Sequence, residues 1–140
     1  MSDRFFIDAN IFLYTFDQNA PVKARRSEDL ISRGIETGKG VISFQVVQEF
    51  FNGAFRRLKP AMSQPEAEIY LAMTLRPLLA VHSSYALYIR ALQITSRHSM
   101  SWYDSLIVAA AIESECSILY SEDLQHGQKF DSLMVGNPFL

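Results

Sequence analysis

The chain has a single cysteine, Cys116, in an apolar neighbourhood, so no intrachain disulfide framework and no cysteine metal site is open to it. Its three histidines, His82, His98 and His126, are scattered without metal-ligand spacing and read as packing or surface residues. No apolar run approaches the length needed to cross a bilayer. Met1-Ser2-Asp3-Arg4 leads straight into an apolar segment, without the basic stretch and long apolar core of a signal peptide. No membrane association and a cytoplasmic location are therefore the expectations. A formal net charge of -2 argues against a bulk polycation that coats nucleic acid, although it leaves room for a local basic groove. Repeats, low-complexity tracts and linkers are absent as well.

What is present is globular. A chain of 140 residues holds one full hydrophobic core and is short for two, so a single domain over residues 1–140 is expected. Phe5-Phe6-Ile7-Asp8-Ala9-Asn10-Ile11-Phe12 is an apolar run that delivers a carboxylate and then changes to helix-compatible spacing. It predicts a central buried strand followed by a helix start. Pro21 opens a second helix, with Val22, Leu30, Ile31 and Ile35 along one face, that Gly34 and Gly38 end. Residues 40–44 predict a second strand feeding a helix over Gln45 to Leu58. Ser63 and Glu66 have the spacing of a capping box on a helix that Pro77 stops. Residues 78–82 read as a third strand, after which Ser84 caps a helix carrying Leu87, Ala91 and Ile94 on one face. Residues 105–112 are almost all apolar on every side, predicting a deeply buried helix. A fourth strand over 117–121 and a short fifth over 133–135 complete the pattern. Strands alternating with helices imply an α/β fold, a mainly parallel sheet between two helical layers, with ligands gathering at the carboxyl ends of the strands.

Asp8 and Asp123 each follow an apolar strand, and Asp104 starts the buried helix, so three carboxylates are placed to converge on one rim of the sheet. Each also has a plain alternative: Asp at a strand-to-helix junction is a good helix cap, and Asp123 suits a turn. Glu49 belongs to a polar stripe, Gln45, Glu49, Asn52 and Arg56, which a solvated helix face would also show.

Taken in order, the segments Phe6-Ile7-Asp8-Ala9-Asn10, Ser43-Phe44-Gln45-Val46-Val47-Gln48-Glu49-Phe50, Trp102-Tyr103-Asp104-Ser105-Leu106-Ile107-Val108-Ala109-Ala110-Ala111 and Leu119-Tyr120-Ser121-Glu122-Asp123-Leu124-Gln125-His126-Gly127 resemble the PIN-domain family, and particularly its VapC-type toxins. The resemblance covers essentially the whole chain. It implies a three-layer α/β/α sandwich with a central, mainly parallel five-stranded sheet. It further implies a metal-dependent endoribonuclease, with Asp8, Glu49, Asp104 and Asp123 as the acidic quartet and Asn10 and Ser121 as supporting polar groups. Glu122 and Asp123 compete for the last acidic position. By the same resemblance the partners are an RNA substrate, a cognate antitoxin protein that covers the site, and a second copy in a homodimer.

The chemistry suits the residue types. Cutting a phosphodiester needs a nucleophile, in-line geometry and neutralisation of charge on the phosphate oxygens. Clustered carboxylates serve by holding hard cations such as Mg²⁺ or Mn²⁺. Ser43 and Ser121 are placed to orient carboxylates, since no serine, histidine and aspartate arrangement is visible. Arg56, Arg57 and Lys59 follow Glu49 and are candidate phosphate contacts, with His126 a further candidate contact to RNA. An aspartate-nucleophile phosphatase is disfavoured because Asn10 stands where its second aspartate belongs. A receiver domain lacks its lysine. A catalytically idle PIN-like interaction module is the remaining alternative.

Overall fold

The computed structural model describes residues 2–140. Six strands, β1 (Phe5–Ile7), β2 (Gly40–Ser43), β3 (Leu79–Val81), β4 (Ile118–Tyr120), β5 (Lys129–Phe130) and β6 (Leu133–Gly136), form one sheet in the order β3-β2-β1-β4-β6-β5. Helices α1 (Ala9–Tyr14), α2 (Pro21–Thr37), α3 (Phe44–Arg56), α4 (Gln64–Tyr70), α5 (Tyr85–His98) and α6 (Trp102–Glu113) flank it, giving the three-layer α/β/α sandwich that the sequence predicts. All pairings are parallel except that of β5 with β6.

The sheet has six strands where five are expected. The addition is β5, whose two residues turn through Asp131 and Ser132 to pair antiparallel with the start of β6. Two residues are too few to leave an alternating pattern in the sequence. Asp131 adopts φ 56° at this turn, a left-handed conformation that aspartate tolerates better than most residues.

The strand β1 is central, between β2 and β4, and Phe6 and Ile7 are fully buried. Burial on both faces explains why it reads as an unbroken apolar run. Each such side chain contributes roughly 1.5–3 kcal/mol relative to an exposed one. Helix α6 is buried continuously from Ser105 to Ala111, and its alanines let α5 pack closely along it. Ser63 and Glu66 form the expected capping box, and Ser84 caps α5. A π-helical turn, Leu71–Leu75, extends α4 to the edge of Pro77.

Glycine 34 does not end α2, which continues to Thr37 and closes on Gly38 at φ 70°. Gly34 instead lies inside the helix against β2, where a Cβ would meet the Gly40 Cα at 3.1 Å. The requirement there is close approach of helix to strand rather than termination.

The chain leaves β1 toward β2 on one side and returns to β4 on the other, so the strand order reverses between β1 and β4. In open α/β sheets this is where a crevice opens at the carboxyl ends of the strands. Asp8 follows β1 and Ser121 follows β4, and the Asp8 N–H donates to the Tyr120 carbonyl at 3.0 Å.

Candidate active site

Asp8 sits at the end of the buried strand and caps α1. Its Oδ1 accepts the Ala9 N–H at 2.8 Å, and its Oδ2 accepts the Ser121 hydroxyl at 2.8 Å. Capping and pocket placement therefore coincide in one carboxylate: one oxygen is tied to the helix and the other to β4's exit. Only 9% of Asp8 is exposed. The Ser121 hydroxyl also accepts the Asp123 N–H at 3.2 Å, linking the first acidic segment to the last.

Asp8, Glu49, Asp104 and Asp123 line one crevice of about 420 Å³, together with Asn10, Gln45, Asn52 and Arg57. The four acids come from the ends of β1 and β4 and the first halves of α3 and α6. Ser101, not Asp104, caps α6, accepting the Asp104 N–H at 3.2 Å. The Asp104 carboxylate is thereby left to the crevice, in the helix's first turn, where negative charge is favoured. Asn10 donates to Asp123 Oδ2 at 2.5 Å.

Glu122 and Asp123 part company. Glu122 accepts hydrogen bonds from the Tyr14 hydroxyl and, at 2.5 Å, from Lys23 Nζ. Desolvation pushes its carboxyl up, but these hydrogen bonds outweigh it and hold the group below the ordinary range. Asp123 lines the crevice with the other acids, and burial, Asp104 and Glu122 raise it against the opposing pull of Arg57. Burial also raises Asp8, more than Ser121 and Ala9 lower it, and Asp123 and Asp104 add to the rise. Glu49 is raised by burial and then by Asp8, with Gln45 opposing. These acids repel one another, and each favours a proton or a cation.

The remaining expected residues divide. Arg57 lines the crevice, and Lys59 lines a second cavity beside it, while Arg56 borders neither. Arg56 is the last residue of α3 and Arg57 its C-cap, and of the two it is Arg57 whose side chain lines the crevice. His126 stands apart from the crevice, with Nδ1 accepting the Asn137 N–H at 2.9 Å. Ser43 orients none of the carboxylates. Its hydroxyl is buried at the end of β2 and has no hydrogen-bond partner, because the strand's last residue faces inward beneath the crevice.

Gln45 was not expected as a site residue. It is 3% exposed, lines the crevice and donates through Nε2 to the Tyr103 carbonyl at 3.1 Å. This ties the first turn of α3 to the start of α6 and so sets Glu49 relative to Asp104. Its position directly after a predicted strand, one helical turn before Glu49, is the available sequence signal.

Four hard oxygen donors suit Mg²⁺ or Mn²⁺. Among the described residues the ion pairs are Lys23–Glu122 and Lys39–Asp3, so none of the four acids is held in an ion pair, and Arg57 in the crevice offsets the charge of Asp123 only in part. No three acidic, histidine or cysteine side chains among the described residues are already drawn into a compact ligand set. The fit rests on donor chemistry and on repulsion that Asn10 and Arg57 relieve only in part, with Glu49 and Asp123 on the exposed rim of the crevice.

The fold and crevice define an α/β sandwich with an acidic pocket at the switch point of its parallel sheet. The PIN domain family model matches residues 5–129, and the chain belongs to that family. A search of curated proteins gives no match. Among solved structures, the fold is shared with VapC20 of Mycobacterium tuberculosis, described as a Sarcin-Ricin loop cleaving toxin, at 18% identity over 85% of this chain and 89% of that one, TM-score 0.61. A toxin-antitoxin complex from Klebsiella pneumoniae matches at 18% identity over 95% and 96%, TM-score 0.66. VapBC2 from Rickettsia felis, bound to a DNA fragment from its promoter, matches at 15% identity over 95% and 97%, TM-score 0.66. Among the described residues no helix is long and apolar enough to cross a membrane.

Proposed function

We propose that this chain is a divalent-metal-dependent endoribonuclease that cuts RNA phosphodiester bonds and acts as the toxin of a type II toxin-antitoxin pair. The observation that carries the reading is the meeting of Asp8, Glu49, Asp104 and Asp123, from four separate segments, around one crevice at the switch point. Acids serving only as caps or solvated surface have no reason to share a crevice.

In this reading the four acids hold Mg²⁺ or Mn²⁺, which when bound lowers the pKa of a coordinated water and neutralises charge gathering on the phosphate. Ser121 and the Ala9 amide fix both oxygens of Asp8, so that carboxylate is oriented before substrate arrives. Asn10 does the same for one oxygen of Asp123. Arg57, between the crevice and the neighbouring cavity, attracts the phosphate backbone, which makes affinity fall with added salt. Ser43, Ser105 and Ser121 do not serve as nucleophiles in this reading, since the hydroxyls of Ser43 and Ser105 are buried and Ser121 is committed to Asp8. Attack therefore falls to water.

Partner assignments follow from the same family. A small antitoxin protein and a second copy of the chain are the proposed partners, and exposed Ile69, Met73 and Leu92 offer apolar surface for them. The neighbouring toxin-antitoxin complexes support the first assignment.

The test is to incubate the purified chain with a structured RNA in Mg²⁺ or Mn²⁺ and map new 5′ ends, with EDTA and Asp8→Asn as controls. Cuts are expected with the intact acid and free metal only. Equal cutting by Asp8→Asn sinks the assignment, and no cutting together with no uptake of Mg²⁺ or Mn²⁺ by calorimetry favours the idle interaction module.

A further inference from the structure

A second cavity, of about 560 Å³, adjoins the acidic crevice and shares Asn10, Arg57 and Asp123 with it. Its size lies within the roughly 300–1,000 Å³ of small-molecule sites. The cavity runs from the crevice toward the loop between α1 and α2, and its lining differs in kind from the crevice's. Aromatic Tyr14 and Phe16, the amide of Asn19 and the cations Arg57 and Lys59 line it, and the carboxyls of Asp17 and Glu122 border it along with that of Asp123. We propose that this cavity is a nucleotide subsite, holding one unpaired RNA residue next to the scissile phosphate and setting base preference at that position. The proposal rests on the endoribonuclease reading above.

Three observations carry it. First, neither Arg57 nor Lys59 takes part in an ion pair among the described residues, so both remain available to phosphate oxygens on the path out of the crevice. Second, Phe16 is 40% exposed at the cavity, an unusual exposure for a phenylalanine whose neighbours Phe50 and Tyr70 belong to the interior. Aromatic rings beside cations are the platform on which unpaired bases stack, whereas helical RNA presents its bases already stacked. Third, the Tyr14 part of the lining is braced. Tyr14 is held by Glu122, Lys23 stands 4.8 Å from the Tyr14 ring centroid, and Phe139 meets that ring edge-on at 5.1 Å. A braced tyrosine and an exposed phenylalanine in one cavity give aromatic surface that is in place before ligand arrives, with the Asn19 amide in the same lining able to read a base by hydrogen bonds.

The order of the two compartments gives the geometry of binding. A phosphate at Arg57 lies at the border of both, so a strand entering the crevice places its flanking base in the neighbouring cavity. The cavity's aromatic and amide part suits a base, the Asp17 carboxylate can accept from a base amino group, and Lys59 suits the next phosphate. A protein segment seated here is the competing occupant.

The test uses the full chain in EDTA, where no cleavage is expected, with the four nucleoside 5′-monophosphates titrated one at a time and followed by amide chemical shifts. Wild type is expected to bind, with shifts centred on residues 14–19 and 57–59 and with one or two bases preferred. Phe16→Ala and Lys59→Ala are each expected to weaken binding roughly tenfold, while Asp8→Asn retains it. Lys59 is exposed, so its variant separates lost binding from lost folding. In the cleavage assay on a randomised RNA pool, Phe16→Ala is expected to broaden base preference at one position flanking the cut. Cutting by wild type with unchanged binding and unchanged preference in both variants overturns the subsite and leaves the nuclease reading standing. Nucleotide binding at these residues without any RNA cutting leaves the subsite standing and removes the nuclease reading. No shift with any of the four nucleotides overturns the subsite in favour of a protein occupant.

Discussion

Glu122 and Asp123 are adjacent in the chain and lie in two contrasting electrostatic regions. Glu122 closes on Lys23 and Tyr14, and its charge is answered. Asp123 joins Asp8, Glu49 and Asp104 around the crevice, where burial and like charge are answered only in part, by Asn10 and Arg57. The contrast teaches that compensation, rather than charge or neighbourhood, separates an acid that braces the fold from one that waits for a cation. A composition count or an apolar-run pattern treats the two alike.

The largest effect that sharpens this contrast is loss of chemistry. Asp8→Asn and Asp104→Asn are each expected to lower RNA cleavage by at least about 100-fold, because even outer partners of metal ligands cost ~10–100-fold when removed. Circular dichroism and the melting temperature should remain close to wild type, since Asn fills the same volume. Ser121→Ala comes next, with an expected loss of ~10–100-fold in Mn²⁺ affinity by calorimetry, because it frees Asp8 Oδ2 and the Asp123 N–H together. Glu122→Gln is smaller and of another kind. It is expected to cost about 0.5–1 kcal/mol in urea denaturation, as befits a partly exposed ion pair, with little effect on metal affinity.

The smallest expected effect is in pH dependence, and its sign distinguishes the two regions. Burial first, and then neighbouring acids, raise Asp8, while burial and Asp104 raise Asp123. Their folded forms hold protons more tightly than the unfolded chain. The stability they contribute without metal is full below the ordinary carboxylate range and is lost as pH rises through the raised values. Glu122 is held below its ordinary value, so its contribution is present above that value and lost as pH falls. In EDTA, urea melts between about pH 4 and 7 should therefore show Asp8→Asn gaining on wild type toward neutral pH. Glu122→Gln, followed from about pH 3, should instead lose ground to wild type as pH rises into the ordinary carboxylate range at about 4.3, and run level with it from there to about pH 7. Parallel curves for both variants contradict the distinction.

Much of this is legible from residues alone, for physical reasons. An apolar run ending at Asp8 is a strand buried on both faces, and residues 105–112 have no polar face to expose, so β1 and α6 declare themselves. Helix boundaries with local chemistry do the same, as at Pro21, Ser63 and Ser84. Contacts across long chain distances are not legible. The Lys23–Glu122 pair joins residues 99 positions apart, and without it nothing in the sequence ranks Asp123 above Glu122. Gln45 looks like one position of a solvated stripe until α6 is packed beside it. Of the candidates Arg56 and Arg57, the one that lines the crevice is Arg57, the C-cap of α3 and no member of the stripe. Ser43 carries the right chemistry at a strand end but faces inward, and β5 is too short to signal itself.

The measurement that bears most directly on the acidic crevice is an Mn²⁺ titration by calorimetry of wild type, Asp8→Asn and Glu122→Gln side by side. Wild type and Glu122→Gln should take up Mn²⁺ with similar affinity and Asp8→Asn should not. Equal uptake by Asp8→Asn, or a loss in Glu122→Gln as large as in Asp8→Asn, contradicts the account.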